Sequence, residues 1–526
     1  MSVPLEPHDV AAYEQFCSEL VQARFTPLSG TERRRWSGPL HPALTGITTA
    51  THMQVWFYDG WPFKYAHIVV PELSVEHAAN GIICLWAEDD PAQIKGSTLP
   101  GLFDRLEQWA ARTATGFTAA DEALDAHIPF EGTAQRFAEI DLPNLLTAAS
   151  NGHMSTIYGT PQGDALLLDR DSTKRSLTGS LYYRSNITTP PRTLTEFRNA
   201  LTRRQRSNLD AGLAARQGVG QNEVSGGHDH VALVWPRHSQ HDAIILSFSG
   251  TGPTLTAHPN ATSPSDTLSR LRRAGPDAAL LSGKKVLLAG LGALGGHVAM
   301  TLAHSGVTYL HVCDSDLLHT VNLVRHALDH LDVGYQKPIG LAVRLQRSAP
   351  WCKVKPDHDL PHVPSALIAR VRGHDLVIDC TGIASMTSAL AYVCAAENVP
   401  MLSSALFHQG AISRIRRQQA GDTPLLHRAA NPAYLTLPPD QIDTGTPGFL
   451  ELGCTAPVHN APPVAVLRAA ADTSHAALDV LTGRLLLPDE CITVLRPLNT
   501  PPFDQPGVLI PTDPTTSAAA PAADSP

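Results

Sequence analysis

A glycine-rich turn between an apolar run and a helical segment constrains this chain more than any other stretch. The run from Val286 to Ala289 has the length of a buried strand, and Gly290, Gly292 and Gly295 follow it. Glycines at this spacing let the backbone approach a phosphate, and the N-terminus of the next helix presents free N–H groups to it. The stretch therefore predicts a nucleotide-binding βαβ unit, but glycines alone do not distinguish NAD from ATP.

The residues after the second strand of this unit distinguish the two nucleotides. Asp314 ends that strand, where a carboxylate meets a ribose hydroxyl, and Asp316, Asn322, Arg325 and Lys337 follow. A dehydrogenase binds its pyrophosphate with backbone amides and has little use for these polar and basic side chains. An enzyme that cleaves ATP between the α- and β-phosphates needs cations on the triphosphate while a carboxylate attacks it. The spacing therefore indicates an ATP site.

The pattern D-x-D-x5-N-L-x-R, followed by D-V-G-x-x-K, resembles the ubiquitin-activating and ThiF-like adenylyltransferase superfamily. The resemblance implies that the three glycines and the five polar residues named above bind ATP. It also implies that Arg325 and Lys337 carry the charge that develops as pyrophosphate leaves, and that the protein forms a homodimer through this domain.

A further apolar strand, within DLVIDCTG, ends in Asp379. The superfamily has acidic residues at this strand end, near magnesium and the α-phosphate. In this chain the second of them is replaced by Gly382. The resemblance therefore implies that Mg²⁺ is bound by Asp379, or else by ATP and water.

Composition excludes several classes of protein. A formal net charge of −9 gives no basic surface for nucleic acid, and no apolar run reaches membrane-spanning length. The N-terminus lacks the basic and then apolar layout of a signal peptide. Eight cysteines without a C-x-x-C pair are not a disulfide framework or a zinc site, so we expect a cytoplasmic protein with reduced thiols.

Four regions are expected in the 526 residues. Residues 1–150 predict an α+β domain, and 151–275 form a linker region of uncertain fold. Residues 276–496 alternate strands with helices, which predicts an α/β, doubly wound, mostly parallel Rossmann-like sheet. Residues 497–526 are rich in proline and alanine and predict a disordered tail.

The middle region is the least informative. Its apolar runs at 231–236 and 243–248 predict strands, and residues 193–216 predict a basic amphipathic helix. The run from Gly250 to Ser265 is rich in Thr, Pro and Ser and predicts a linker.

In the N-terminal region, a predicted helix at 8–24, strands at 51–60 and 64–70 and a helix at 99–113 surround a long loop. Within that loop, H-A-A-N-G-I-I-C-L-W contains His77, Asn80 and Cys84 and is similar to the His-Pro-Asn…Gly-x-x-Cys-Leu segment of ubiquitin-conjugating enzymes, without its proline. A loop cysteine can hold an acyl group as a thioester that an amine then attacks.

The resemblance implies that Cys84 carries the acyl group and that the amide of Asn80 stabilises the oxyanion. His77 is a candidate to orient the loop, with a direct catalytic role as the alternative. The competing interpretation of Cys84 is a small buried core residue.

A second cysteine, Cys454, precedes Thr-Ala-Pro and the predicted helix Pro463 to Leu481. This G-C-T-x-P context resembles bacterial fusions of a ubiquitin-conjugating-like domain with an activating domain. The resemblance implies that Cys454 takes the acyl-adenylate as the first thioester. A purely structural role is the alternative.

The whole chain resembles these fusions, as found in CBASS antiphage systems. The resemblance implies that a protein with a C-terminal carboxylate, either a cGAS-like nucleotidyltransferase or a ubiquitin-like protein, is activated with ATP and Mg²⁺, transferred to Cys454 and Cys84, and conjugated to an amine. Two alternatives stay open. One is a sulfur-carrier adenylyltransferase with an N-terminal docking module, and the other is an NAD-dependent oxidoreductase.

Overall fold

The chain folds as two units, residues 1–266 and 267–526. A computed structural model describes residues 5–71, 73, 75, 77–79, 81–86, 90–116, 130, 136–146, 150–171, 176–187, 190–217, 223–237, 240–439 and 461–511. Within these residues, no helix is both long and apolar enough to cross a bilayer.

The first unit begins with a helix, an antiparallel meander and a second helix. The elements are α1 (Val10–Gln22), β1 (Thr26–Pro27), β2 (Arg35–Pro39), β3 (His52–Trp56), β4 (His67–Val69), β5 (Ala78–Ala79), β6 (Ile82–Ile83) and α2 (Leu99–Thr115). The sheet order is β1-β2-β3-β4-β6-β5. Both predicted helices and the predicted strand pair are confirmed, with Trp56 opposite His67 and Gly60 at φ +92° in the turn between them.

This meander is stabilised by an aromatic core. Phe16 of α1, Phe57 and Trp61 pack edge to face, with ring centroids 5.2–5.9 Å apart. Leu102 and Leu106 of α2 are fully buried in the same cluster. Burial of side chains this large dominates the stability of a small layer.

The second part of this unit is a closed barrel with strand order β10-β11-β12-β13-β7-β9-β8. Its elements are β7 (Arg136–Ile140), α3 (Leu142–Leu145), β8 (Met154–Gln162), β9 (Ala165–Asp169), β10 (Leu177–Tyr183), α4 (Leu194–Ala200), α5 (Arg203–Ala214), β11 (His230–Arg237), β12 (Gln240–Ser249) and β13 (Thr256–Pro264). Ala232 and Val234 of β11 belong to the cluster that fills the barrel. Val231 and Leu233 belong to the cluster beneath α4 and α5, as the period of two requires.

Three expectations for the middle region are corrected. The predicted linker Gly250 to Ser265 is wrong, because β13 pairs with β12 and, in parallel, with β7. The single helix predicted at 193–216 is two helices, since Thr202 and Gln205 form a capping box that starts α5. The barrel also begins at β7, before the expected boundary at residue 150.

The second unit contains an eight-stranded sheet in the order β16-β15-β14-β17-β18-β19-β20-β21. Its elements are α6 (Thr267–Leu271), α7 (Ala278–Leu281), β14 (Lys285–Ala289), α8 (Ala293–His304), β15 (Tyr309–Cys313), α9 (Lys337–Ser348), β16 (Lys353–Asp357), α10 (Pro364–Val371), β17 (Leu376–Asp379), α11 (Ala384–Glu397), β18 (Met401–Phe407), β19 (Ile412–Gln418), α12 (Pro463–Leu481), β20 (Glu490–Val494) and β21 (Gly507–Leu509).

The predicted doubly wound sheet is confirmed. Strands β14 to β18 run parallel, and β19 to β21 extend the sheet with antiparallel pairs. Helices α8, α9 and α12 pack on one face and α10 and α11 on the other. The strand order reverses between β14 and β17, and in such sheets ligands bind at the carboxyl ends of the strands at this point.

The tail predicted to begin at residue 497 is wrong for residues 497–511. Strand β21 pairs with β20, and Phe503 is 2% exposed in a cluster with Ile412 and Ile492. The proline-rich composition favoured a disordered tail, although residues 507–509 form an edge strand and Phe503 packs in a small core. Residues 512–526 lie outside the described residues.

Candidate functional site

The glycine loop lies between β14 and α8, at the carboxyl end of the sheet. Gly290 has φ +82°, and a Cβ there would lie 2.8 Å from the backbone of Thr381. A Cβ on Gly295 would lie 1.9 Å from the carbonyl oxygen of Gly290. Gly292, the N-cap of α8, has no neighbour within 4 Å of its Cβ position. Two glycines therefore allow close packing, and the third borders open space at a helix N-terminus, which suits a phosphate.

The carboxylate of Asp314 connects the end of β15 to this loop. Its Oδ2 accepts a hydrogen bond from the Leu291 amide at 2.6 Å, and its Oδ1 accepts one from the Asp316 amide at 2.8 Å. Burial raises the pKa of Asp314, and Lys337 and the two amides oppose this shift. The side chain that the sequence assigned to a ribose hydroxyl thus also fixes the loop.

Lys337 is the cation at this site. It begins α9, is 7% exposed, and its Nζ lies 2.7 Å from Asp316 Oδ2 and 3.8 Å from Asp314 Oδ1. A buried ammonium held beside two carboxylates has a defined position before any ligand arrives. The structure therefore brings together the glycines, both aspartates and the lysine that the sequence predicted.

Asn322 and Arg325 lie between β15 and α9 and make different contacts. The Asn322 side chain accepts a hydrogen bond from the His319 amide at 3.0 Å, so it closes a short 3-10 helix. Arg325 Nη1 donates to the carbonyl of Ala461 at 3.3 Å. Ala461 directly follows residues 440–460, which lie outside the described residues and include Cys454. The predicted role of Cys454 stays a prediction.

His326 is a site residue that the sequence analysis missed. Its Nε2 lies 2.8 Å from the Leu291 carbonyl, and its Nδ1 accepts from the Leu328 amide at 3.1 Å. An accepting Nδ1 leaves the proton on Nε2, which donates to the glycine loop. Burial lowers the pKa of His326 to about 4, so the ring is neutral at pH 7. Its place directly after Arg325 was the one available signal.

Asp379, the predicted magnesium ligand, is hydrogen-bonded through both carboxylate oxygens, and its predicted role stays a prediction. It is 1% exposed, and Oδ1 accepts from the Thr381 amide at 3.0 Å and from Thr381 Oγ1 at 2.6 Å. Its Oδ2 accepts from Thr387 Oγ1. Both oxygens hold the turn between β17 and α11, with Gly382 at φ +67° in that turn. Within the described residues, no group of three or more His, Cys, Asp or Glu could hold a metal ion.

A cavity of about 370 Å³ lies between β19 and the 3-10 helix Leu425–Ala430. Three arginines line it, and Arg414 and Arg428 pair with the buried carboxylate of Glu490 at 2.6 and 3.2 Å. The third, Arg416, donates to Ser403 Oγ at 3.1 Å. Its apolar lining is Phe407, Leu425, Ala429, Leu435 and Leu437. The cavity thus combines an apolar wall with a guanidinium that has no carboxylate within ion-pair distance in the described part of the chain.

In the first unit, Cys84 follows β6 and is half-buried. Its amide donates to the His77 carbonyl at 2.9 Å, and Sγ lies 3.9 Å from the Trp86 carbonyl oxygen. Arg105 of α2 donates to the Leu85 carbonyl at 2.7 Å. Burial raises the pKa of the Cys84 thiol.

His77 and Asn80 are the other two predicted residues of this loop. His77 adopts φ +56° and is 7% exposed, and its predicted role in orienting the loop stays a prediction. Asn80 lies outside the described residues, and its predicted oxyanion role stays a prediction.

Comparison with known proteins identifies the region around the glycine loop. Residues 268–458 match the family described as ThiF. The match covers less than half of the chain, and the matched residues include those of the glycine loop, both aspartates, Lys337 and Cys454.

Two curated relatives align with parts of the chain. An "ATP-dependent ubiquitin transferase-like protein Cap2" of Enterobacter hormaechei subsp. hoffmannii is 36% identical over 124 residues, which are 23% of this chain and 20% of the relative. The "Molybdopterin-synthase adenylyltransferase" of Escherichia coli K12 is 35% identical over 127 residues, which are 24% of this chain and 50% of the relative. The chain therefore spans between one fifth and one half of these relatives.

Among solved structures, the crystal structure of E. coli MccB with ATP aligns with 46% of this chain and 68% of that chain, at 16% identity and a TM-score of 0.34.

Proposed function

We propose that this protein activates the C-terminal carboxylate of another protein with ATP and transfers the acyl group to Cys454, then to Cys84, and then to an amine. The observation that carries the proposal is the position of Lys337 Nζ, 2.7 Å from Asp316 beside the glycine loop. The relative named as an ATP-dependent ubiquitin transferase-like protein supports the proposal over the ThiF-family region.

In the first step, an oxygen of the protein carboxylate attacks the α-phosphorus of ATP. The bond from the α-phosphorus to the bridging oxygen breaks, and pyrophosphate leaves with the electron pair. The Lys337 ammonium and the Arg325 guanidinium stabilise the negative charge that spreads over the phosphates. Asp314, fixed by two amides, presents its carboxylate to the ribose. Mg²⁺ would be held by Asp379, whose Oδ2 accepts one hydrogen bond, or by ATP and water, and it would supply positive charge to the phosphates.

The cavity beside Arg416 supports a route for the carboxylate donor. Ser403, which accepts from Arg416, is paired across the sheet with Asp379 at the carboxyl end of β17. An extended tail in this cavity would lay apolar side chains on its wall and a carboxylate near the guanidinium. We therefore propose that the substrate tail passes here on its way to ATP.

In the next two steps, the acyl group moves between sulfurs. The thiolate of Cys454 attacks the acyl carbon and AMP leaves; the thiolate of Cys84 then attacks that thioester and releases Cys454. Burial raises the pKa of Cys84, which makes its thiolate a poorer leaving group and slows loss of the acyl group from it. One chain with both thiols also avoids a separate encounter.

An exposed apolar surface supports the proposed homodimer. The segment between β15 and α9 folds back on itself. The Leu318 amide donates to the Tyr335 carbonyl, and the Gly334 amide donates to the Leu318 carbonyl, both at 2.9 Å. The exposed apolar side chains of this segment are Leu317, Val321, Val324, Leu331 and Tyr335. Several exposed apolar side chains in one short segment are typical of an interface. We propose a second copy of this chain as its partner.

The test is isotope exchange between pyrophosphate and ATP in the presence of a candidate partner protein. We expect exchange to depend on the partner's intact C-terminus and to persist in Cys454→Ala and Cys84→Ala, because adenylation precedes both thiols. Cys454→Ala should abolish every reductant-sensitive adduct, and Cys84→Ala should leave one. Absence of exchange with a cGAS-like nucleotidyltransferase and with ubiquitin-like proteins would reject the proposal. The first partner would indicate CBASS antiphage defence in the cytoplasm.

A second candidate function is sulfur-carrier adenylylation with the N-terminal region as a docking module. The relative named as a molybdopterin-synthase adenylyltransferase favours it. Target modification that survives Cys84→Ala would support this candidate. In an NAD-dependent oxidoreductase, the ammonium of Lys337 between two carboxylates would have no role in the reaction. Binding of NAD without binding of ATP would support that alternative.

A further inference from the structure

The hairpin that ends at Cys84 lies at the open edge of the first sheet. Strand β5 is the last strand in the order, with β6 as its neighbour on the inner side. Ala78 lies opposite Ile83, and the Cys84 amide donates to the His77 carbonyl at 2.9 Å. The hairpin is therefore held on one side by backbone hydrogen bonds.

The register determines where the Ala78 carbonyl points. In an antiparallel ladder, hydrogen-bonded pairs alternate with pairs that exchange no hydrogen bond. Because His77 and Cys84 are the bonded pair, Ala78 and Ile83 are not, and the polar groups of Ala78 face the outer edge. The Ala78 amide donates a hydrogen bond to the Val75 carbonyl at 3.0 Å. Its carbonyl needs a donor from outside the sheet.

Arg192 supplies that donor from the barrel part of the same unit. Its Nη2 lies 3.2 Å from the Ala78 carbonyl oxygen, although the two residues are 114 positions apart. The Arg192 amide donates to Glu196 Oε2 at 2.8 Å, and Thr193 caps α4. Phe197 of α4 is fully buried in the cluster beside the barrel. The arginine therefore extends from a well-anchored helix start.

We infer that Arg192 is a positioning residue for Cys84, acting through the Ala78 carbonyl to hold the β5–β6 hairpin. It fixes the edge strand from outside, while Arg105 fixes the Leu85 carbonyl from α2 at 2.7 Å. The inference rests on the proposed function for the use made of Cys84. It adds that the barrel, which has no part in the proposed acyl transfer, sets the geometry of the acceptor thiol.

Three variants of the full chain test this inference, namely Arg192→Ala, Arg192→Lys and Arg198→Ala. Lysine retains a donor, and Arg198 is the matched control because its partner is the exposed Asp210 at 2.7 Å. The first measurement is hydrogen exchange of the peptide that contains residues 77–84. We expect exchange about fivefold faster in Arg192→Ala, from loss of one hydrogen bond, and values within about twofold of wild type in the other two.

The second measurement is the pH profile of Cys84 alkylation by iodoacetamide, mapped by mass spectrometry. Loosening the hairpin exposes the thiol, so the profile of Arg192→Ala should shift to lower pH, with recovery in Arg192→Lys. A contribution to overall stability alone would lower the melting temperature without moving this profile. Should Arg192→Ala not fold, Arg192→Met, which keeps most of the side-chain stem, takes its place.

The inference is overturned if exchange and alkylation in Arg192→Ala match Arg198→Ala, or if lysine restores neither. These measurements need no ATP and no acyl donor. The proposed transfer reaction and this inference can therefore fail independently.

Discussion

The glycine-loop site and the Cys84 hairpin are held in place by different kinds of interaction. At the glycine loop, Lys337, Asp314 and Asp316 are nearly buried or half-buried charges whose positions are fixed by one another and by backbone amides. At the hairpin, Cys84 is fixed by backbone hydrogen bonds, and burial raises the pKa of its thiol. A site that must stabilise developing charge is built from charges. The proposed function asks the second site to hold a neutral thioester, and that site is built from packing and backbone contacts.

This difference predicts how each site responds to substitution. Removing the cation at the first site should lower catalysis, because the charge acts on the transition state, and should also destabilise the fold by leaving two carboxylates without their partner. Changing the hairpin should alter reactivity through burial and position. The following predictions test that contrast.

The largest effect is expected for Lys337→Ala. A small loss of activity in this variant would contradict the contrast between a site built from charges and a site built from packing. Loss of the ammonium should lower pyrophosphate exchange by roughly 10²–10³-fold, the usual range for removing one transition-state donor. The control is Lys353→Ala, at an exposed position in β16. Equal rates in the two variants would show that Lys337 serves only to neutralise the aspartates.

Gly295→Ala and Gly292→Ala separate packing from binding within the loop. The Cβ of the first would lie 1.9 Å from the Gly290 carbonyl oxygen, so we expect a loss of about 2–4 kcal/mol in the free energy of unfolding. The second has open space and φ −65°, so stability should change by less than about 1 kcal/mol. Its affinity for ATP should nevertheless fall, measured by calorimetry. Equal stabilities would contradict the packing argument.

Acidification should loosen the nucleotide loop through His326. Its pKa is about 4 in the folded protein and about 6.5 unfolded, so the neutral ring stabilises the fold above pH 6.5. That contribution is lost as pH falls from 6.5 towards 4. His326→Gln keeps a donor but cannot be protonated, so at pH 5 its stability relative to wild type should rise by about 2 kcal/mol. Thermal unfolding of both proteins at pH 8 and pH 5 measures the change.

The smallest effect concerns Cys84. Because burial raises its pKa, its alkylation rate should keep rising at pH values where an exposed cysteine, with a pKa of about 8.5, has reached its plateau. N-acetylcysteine is the reference and Cys84→Ser gives the background. A profile like that of the reference would mean that the thiol is solvated and that the hairpin is not the enclosed site described above.

Much of the second unit could be predicted because its signals are local. The helix expected at Pro463 to Leu481 is α12 with the same ends, and the glycines, Asp314, Asp316 and Lys337 lie together as expected. Each of these features follows from spacing within about fifty residues of one βαβ unit. Periodicity and turn chemistry were sufficient there.

The features that sequence missed depend on distant partners. Strand β13 is Thr- and Pro-rich, and it is a strand because it pairs with β12 and with β7, which lies over a hundred residues earlier. The hydrogen bond that Thr387 of α11 donates to Asp379 was not predicted. His326 was overlooked because its partner is a backbone carbonyl, at Leu291, which leaves no pattern of side chains. Such contacts follow from the fold and not from spacing.

Strand β21 has a practical consequence for anyone preparing the second unit alone. It covers the outer side of β20, where it pairs with Ile492 and Val494. A protein truncated at residue 496 would present β20 as a bare, β-branched edge, which invites strand pairing between molecules and precipitation. Extending such a preparation through residue 511 would keep that edge covered.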